Sequence, residues 1–185
     1  MAETIAFEIP LFDDFYLSRI RREDKAAYLE HFRDQEISRN TLRIPYPYTE
    51  ADADQWLDRC EKEACDPEKL FAIRDRNGYL VGSIGIADPL PQGATSAEIG
   101  YWLAKSYRGC GLMGRAISTF AEHAFQRLGL IRLHADTFVN NFASQRALEK
   151  AGFARETFLP RHHLKNGAYL DAVRYGKFRK LAANS

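Results

Sequence analysis

One stretch constrains this chain more than any other: Tyr107-Arg108-Gly109-Cys110-Gly111-Leu112-Met113-Gly114-Arg115-Ala116. A strand-like run, Ala97 to Leu103, precedes it, and a helix-like run, Leu112 to Leu128, follows. Glycines let a loop bring its backbone N–H groups close to an anion without side-chain obstruction. The helix behind such a loop adds unpaired N–H groups and the positive end of its dipole. Strand, glycine-rich turn and helix together make a cradle for a pyrophosphate.

A dinucleotide is the first candidate owner of that pyrophosphate. Gly109 to Gly114 matches G-x-G-x-x-G, and Asp136 follows at roughly the 20-residue interval that a ribose-binding acid requires. Three features oppose this reading. Ala104-Lys105-Ser106-Tyr107-Arg108 separates the loop from its strand, whereas the dinucleotide turn follows its strand almost directly. Asp136 lies inside the next strand pattern, Arg132 to Val139, and not at its end. Too little chain remains to build the further parallel strands of a doubly wound sheet.

A length of 185 residues suits one domain, read as residues 1–185 with its core at about 16–179. A net charge of +1 argues against a general nucleic-acid-binding face. No apolar run approaches the ~20 residues of a membrane span, and no secretory pattern opens the chain. Cys60, Cys65 and Cys110 are odd in number and lack paired C-x-x-C spacing. Neither a zinc site nor a disulfide framework is expected, and a reducing cytoplasm fits.

Along the chain, Tyr16 to Arg21 reads as a strand, and Arg22-Glu23-Asp24 opens a helix with Ala27, Tyr28 and Phe32 at helical spacing. Pro45 and Pro47 break the chain. Thr49 and Asp52 mark the start of a helix over 50–64, with Trp56, Leu57 and Cys60 on one side. Strands at 70–75 and 79–87 flank Asn77-Gly78, a hairpin signal. Gly129 ends the long helix. A strand over 132–139, a short helix over 141–150, and a hairpin of 154–164 with 169–178 around Asn166-Gly167 complete the order. The class is α+β: a mixed, mostly antiparallel sheet of six to seven strands with about four helices and one parallel crossover.

These blocks resemble the GCN5-related N-acetyltransferase (GNAT) superfamily, and within it the RimJ/RimL type that acetylates ribosomal-protein N-termini. The resemblance rests on Ala97 to Leu103, on Tyr107 to Met113 and on Asn141 to Phe153, in the family's order and spacing. Arg108-Gly109-Cys110-Gly111-Leu112 meets the superfamily loop pattern Q/R-x-x-G-x-G/A up to its last position, where Met113 stands in place of glycine or alanine.

The resemblance implies acetyl-coenzyme A as cosubstrate, its pyrophosphate held by main-chain amides of Arg108, Gly109, Cys110, Gly111, Leu112, Met113 and Gly114. It implies that Tyr101-Trp102-Leu103 pairs with the pantetheine arm and that Asn141 hydrogen-bonds the arm further along. A main-chain N–H on that strand would polarise the thioester carbonyl. Glu98 occupies the family's candidate-base position. Many members carry tyrosine, as the proton donor to the departing thiolate, at the position of Leu148. This chain lacks that tyrosine, and the resemblance implies Ser144, which the RimJ/RimL branch shares, as the donor or hydrogen-bonder to the thiolate.

The amine must be neutral to attack. A lysine amine of pKa ~10.4 is handicapped by about 4.6 kcal/mol at pH 7, and an α-amine of pKa ~7.9 by only about 1.2 kcal/mol. An α-amine therefore needs a modest base, and direct transfer in a ternary complex is the expected route. Tyr46, Tyr48, Trp56 and His163 are candidates to line the acceptor groove. Plainer readings stand beside each role: Glu98 as a solvated strand residue, Asn141 as a helix cap, Ser144 as a first-turn residue, His134 as a satisfied core histidine. The acceptor is read first as a protein or peptide N-terminus. The alternatives are a small amine such as a polyamine, amino sugar or antibiotic, or a non-catalytic acyl-coenzyme A binder. Monomer and dimer both remain open.

Overall fold

Both hairpins and the single parallel crossover are present in the computed structural model, which describes residues 8–62, 68–87 and 90–180. The strands are β1 (Ile9–Pro10), β2 (Tyr16–Ser18), β3 (Leu70–Arg74), β4 (Leu80–Ile86), β5 (Ser96–Leu103), β6 (Arg132–Phe138), β7 (Ala154–Lys165) and β8 (Ala168–Phe178). The helices are α1 (Lys25–His31), α2 (Gln35–Asn40), α3 (Glu50–Lys62), α4 (Leu112–Arg127) and α5 (Phe142–Lys150). Short 3₁₀ turns occupy Arg22–Asp24 and Lys105–Tyr107. One sheet runs β1-β2-β3-β4-β5-β6-β8-β7, and only β5 and β6 are parallel.

The eight strands and five α-helices among the described residues exceed the six to seven strands and about four helices read from the sequence. The additional strand, β1, is two residues long, too short to show a period of two. The additional helix, α2, owes its start to Asp34, whose side chain accepts the Glu36 N–H. β2 stops at Ser18 instead of Arg21, because the Arg21 N–H is donated to Asp24 at 2.7 Å and turns the chain into the 3₁₀ turn. The two hairpins also differ. At 166–167 both Asn166 (φ 49°) and Gly167 (φ 78°) are left-handed, as a tight I′ turn requires, whereas of Asn77 and Gly78 only Gly78 is. The start of α3 follows the sequence: Thr49 Oγ1 accepts the Asp52 N–H at 3.2 Å, and Asp52 accepts the Thr49 N–H at 2.8 Å.

Strand alternation sends side chains to two layers. On one face α4 buries Leu112, Ala116, Ile117, Phe120 and Ala124 against Phe71, Ile73, Ile84, Ala97 and Ile99. On the other, α1 and α3 place Tyr28, Phe32 and Leu57 against Ala72, Leu80 and Trp102. Arg22 and Lys25 reach across to α3: Arg22 pairs with Asp58 and Glu61, and Lys25 with Asp54 and Glu50. Among the described residues no helix is long and apolar enough to cross a membrane.

Candidate active site

The crossover creates the site. β5 and β6 pair only at Ser96↔Arg132, Ala97↔Leu133 and Glu98↔His134, although β5 continues to Leu103 and β6 to Phe138. Each strand is satisfied on its other side, β5 by β4 as far as Leu103 and β6 by β8 as far as Phe138. Beyond Glu98 the two strands therefore part, and their facing main-chain edges open onto a groove of about 1500 Å³. An extended ligand with amide groups can occupy such an edge as an added strand does.

The glycine loop closes one end of this groove. Gly109 (φ 83°) and Gly111 (φ 88°) take the left-handed conformation, and a Cβ built on either would meet no atom within 4 Å. Open space above two such residues, directly before the N-terminus of a 16-residue helix, is what an anion cradle needs. The Arg108 side chain does not lie over the cradle. Its Nε donates to the Leu103 carbonyl at 3.1 Å, and its other nitrogens meet Glu36 and Asp34 at 2.8 Å each. Arg108 thus braces the loop against α2, leaving anion contact to its main chain. Cys110 turns its thiol to the Tyr107 carbonyl at 3.1 Å. Leu112 is buried in the core, Met113 packs partly buried on it, and a Cβ on Gly114 would stand in ordinary contact with the Ala147 carbonyl of α5 at 3.6 Å.

Midway along the groove, Ser144 Oγ and the Tyr101 hydroxyl lie 2.7 Å apart, and either can donate. Burial pushes the Tyr101 phenol well up despite the opposing bond to Ser144, so the pair keeps its protons at neutral pH. Tyr101 entered the sequence reading for its main chain alone; the partner of its hydroxyl is 43 residues away and left no local signal. Asn141 caps α5, its Oδ1 accepting the Ser144 N–H at 3.1 Å, so a contact with a ligand falls to its amide nitrogen. This cap also fixes Ser144. Leu148 is fully buried and packs in the core. Thr137 Oγ1, buried on β6 and lining the groove, has no hydrogen-bond partner among the described residues. An orphaned hydroxyl costs stability unless a ligand answers it, which fits occupation of the splay by a polar chain.

Glu98 of β5 and Asp136 of β6 also line the groove. Glu98 stands beside His134 on the last rung before the splay, and Asp136 pairs in register with Arg174. Arg174 forks both carboxylate oxygens of Asp136 at 2.7 Å. Burial alone would raise the Asp136 carboxyl; the Arg174 fork overrides it and holds the group below the usual carboxylate range. His134 is half-buried instead of lying in the core, and burial beside Arg174 and Arg132 lowers its pKa. Tyr48, Trp56, Trp102 and His163 line the groove, whereas the exposed Tyr46 does not.

A family model described as the acetyltransferase (GNAT) domain matches residues 14–154. The protein of Bacillus subtilis (strain 168) named "Probable N-acetyltransferase YjcK" is 31% identical over 117 residues, 63% of this chain and 64% of that protein. The ribosomal-protein-serine acetyltransferase of Escherichia coli (strain K12) is 33% identical over 109 residues, 59% of this chain and 60% of its own length. The match thus spans somewhat less than two thirds of these relatives. Among solved structures, a RimL-type ribosomal-protein α-N-acetyltransferase in complex with coenzyme A aligns with a TM-score of 0.81 at 18% identity, covering 93% of this chain and 98% of that one.

Proposed function

The chain belongs to the acetyltransferase (GNAT) domain family, and we propose that it is an acetyl-coenzyme A-dependent N-acetyltransferase acting on a protein or peptide N-terminal α-amine. One observation carries the cosubstrate: β5–β6 pairing ends at Glu98, opening two main-chain edges that lead to the glycine cradle. The acceptor class is supported by the names of the ribosomal-protein relatives and by the smaller cost of deprotonating an α-amine.

In this reading amides of residues 108–114 hold the pyrophosphate. The edge of Tyr101, Trp102 and Leu103 aligns the pantetheine arm, with Thr137 and Asn141 as polar partners. When bound, the thioester supplies an acyl carbon activated toward an amine. Glu98 draws in the acceptor's ammonium group and orients it toward the thioester. The Tyr101–Ser144 pair donates toward the departing sulfur, Ser144 making the contact and Tyr101 feeding it.

Calorimetric titration tests the first half: acetyl-coenzyme A is expected to bind, and an absence of heat at high protein concentration refutes the cosubstrate. Ser144→Ala is expected to lower kcat about 10- to 100-fold with KM for acetyl-coenzyme A nearly unchanged, and Tyr101→Phe to lower it by less. Steady-state thiol release measures both. A rise in KM at constant kcat would place the pair in binding and not in proton transfer.

A further inference from the structure

β7 carries an irregularity that the acetyl-transfer geometry described so far does not use. Leu159 pairs with Ala172 and His163 with Leu170, so Pro160, Arg161 and His162 stand opposite Asp171 alone. Arg161 takes φ 49°, and its N–H is donated to Asp171 Oδ1 at 2.7 Å. In a regular strand the neighbours His162 and His163 would point to opposite faces. Here their rings lie 4.6 Å apart, and one nitrogen of each falls within 4.8 Å of a carboxylate oxygen of Asp136. Bulges re-aim side chains in this way beside functional sites. His162 Nε2 sits 3.3 Å from Asp136 Oδ2, and His163 lines the groove against Phe138, with ring centroids 5.7 Å apart.

Two histidines and a carboxylate suggest a metal site, but Arg174 already forks both Asp136 oxygens. A divalent cation there would face the fixed positive charge of Arg174 and would compete with it for both carboxylate oxygens. The arrangement suits a proton instead. An ordinary carboxylate lies about 3.5 pKa units below an α-amine, a poor match for the proton's destination, whereas an imidazole lies within about 1.5 units.

We propose that His163 is the catalytic base that receives the proton of the acceptor amine, with His162 and Asp136 as positioning residues that orient it and pass the proton to solvent. This rests on the acetyltransferase reading above. The proton leaves the acceptor's ammonium group for an imidazole nitrogen of His163. The lone pair left on the amine forms the C–N bond as the C–S bond breaks. The remaining proton lost by that nitrogen goes to the departing thiolate through Ser144 and Tyr101. His163 returns its proton to water by way of the half-exposed His162, and Glu98 attracts the ammonium without being the proton's resting place.

The charges acting on His163 are His162 on its own strand, Asp136 on β6 and Arg174 on β8. Burial, and then His162, lowers the His163 pKa, so the ring is neutral and basic at pH 7 and loses that capacity as pH falls through its lowered value.

The test compares kcat against pH for wild type and His163→Gln, with a peptide bearing a free α-amine. The expected loss is about 100-fold at pH 6.5 and shrinks toward none at pH 9, where the amine deprotonates unaided. An equal fractional loss at every pH overturns the proposal, as does activity abolished by EDTA and restored by zinc, which would make the cluster a metal site. Side-chain NMR of the wild-type protein supplies a readout independent of turnover. His163 is expected neutral at pH 7 and protonating only below the ordinary imidazole range, with His162→Gln moving that titration upward. A His163 ring already protonated at pH 7 overturns the proposal whether or not acetyl transfer occurs. Thiol release absent with every amine, despite a neutral His163, counts against the acetyltransferase reading itself.

Discussion

Gly111→Val is expected to weaken acetyl-coenzyme A binding by about 100-fold while leaving the fold in place. Gly111 holds φ 88° at the N-cap of α4. Placing an ordinary L-residue in the left-handed region costs about 1–2 kcal/mol, and a β-branched one more. The new side chain would also enter the space above the loop where no atom now stands within 4 Å. If it displaces even one main-chain N–H from a phosphate oxygen, a charge-assisted bond of about 1.5–3 kcal/mol is lost. The lost bond, together with the cost of returning a loop that has relaxed out of the left-handed region to its binding conformation, reaches a factor of about 100 in Kd. The helix itself is anchored away from the loop by Ala116, Ile117 and Phe120, all fully buried, so circular dichroism should be unchanged. Calorimetry that returned a Kd within twofold of wild type would remove the cradle from the cosubstrate site.

The second large effect concerns stability. Arg74 is 1% exposed, and its guanidinium donates five hydrogen bonds: to Ser18, to both oxygens of Asp24, and to the Arg19 and Gly78 carbonyls. These ties join β2, the 3₁₀ turn and the β3–β4 hairpin. Arg74→Leu leaves the buried Asp24 carboxylate without its counter-charge, a loss of about 3–5 kcal/mol. Urea denaturation should show it as a lowered midpoint at constant slope. Replacing both partners, Arg74→Met with Asp24→Leu, should be less harmful than Arg74→Leu alone, because no buried charge is then orphaned. A single substitution costing under about 1 kcal/mol would mean that water reaches the pair and that its apparent burial overstates its importance.

Much of the fold was legible because its signals are local. Gly129 (φ 67°) ends α4, Asn166-Gly167 makes the last turn, and apolar spacing placed α4 and β5 within a residue of their limits. The glycine cradle was equally plain, since the loop's geometry depends on glycine in sequence. What escaped notice depends on pairing across the sheet. The splay after Glu98 is a property of register, set by where β4 and β8 hold β5 and β6. The bond between Tyr101 and Ser144, the fork of Arg174 on Asp136, and the grip of Lys165 on the Ser38 and Thr41 carbonyls each span far more sequence than any periodicity reaches. Strand alternation alone could have put Glu98 on the same face as Trp102, and Asp136 on the same face as His134. The neighbourhood of His162 and His163 could not be read that way, because the bulge at Pro160–Arg161 breaks the alternation on which such a reading relies.

Thiol release from acetyl-coenzyme A tests the central claim most directly, measured with peptides bearing free N-termini against N-blocked lysine peptides, polyamines and aminoglycosides. Release confined to the free N-termini is expected, with the acetyl group located on the α-nitrogen by mass spectrometry. Release only with the small amines would contradict the protein N-terminal assignment. Binding of acetyl-coenzyme A without release across the whole panel would contradict transfer itself and leave an acyl-coenzyme A binder.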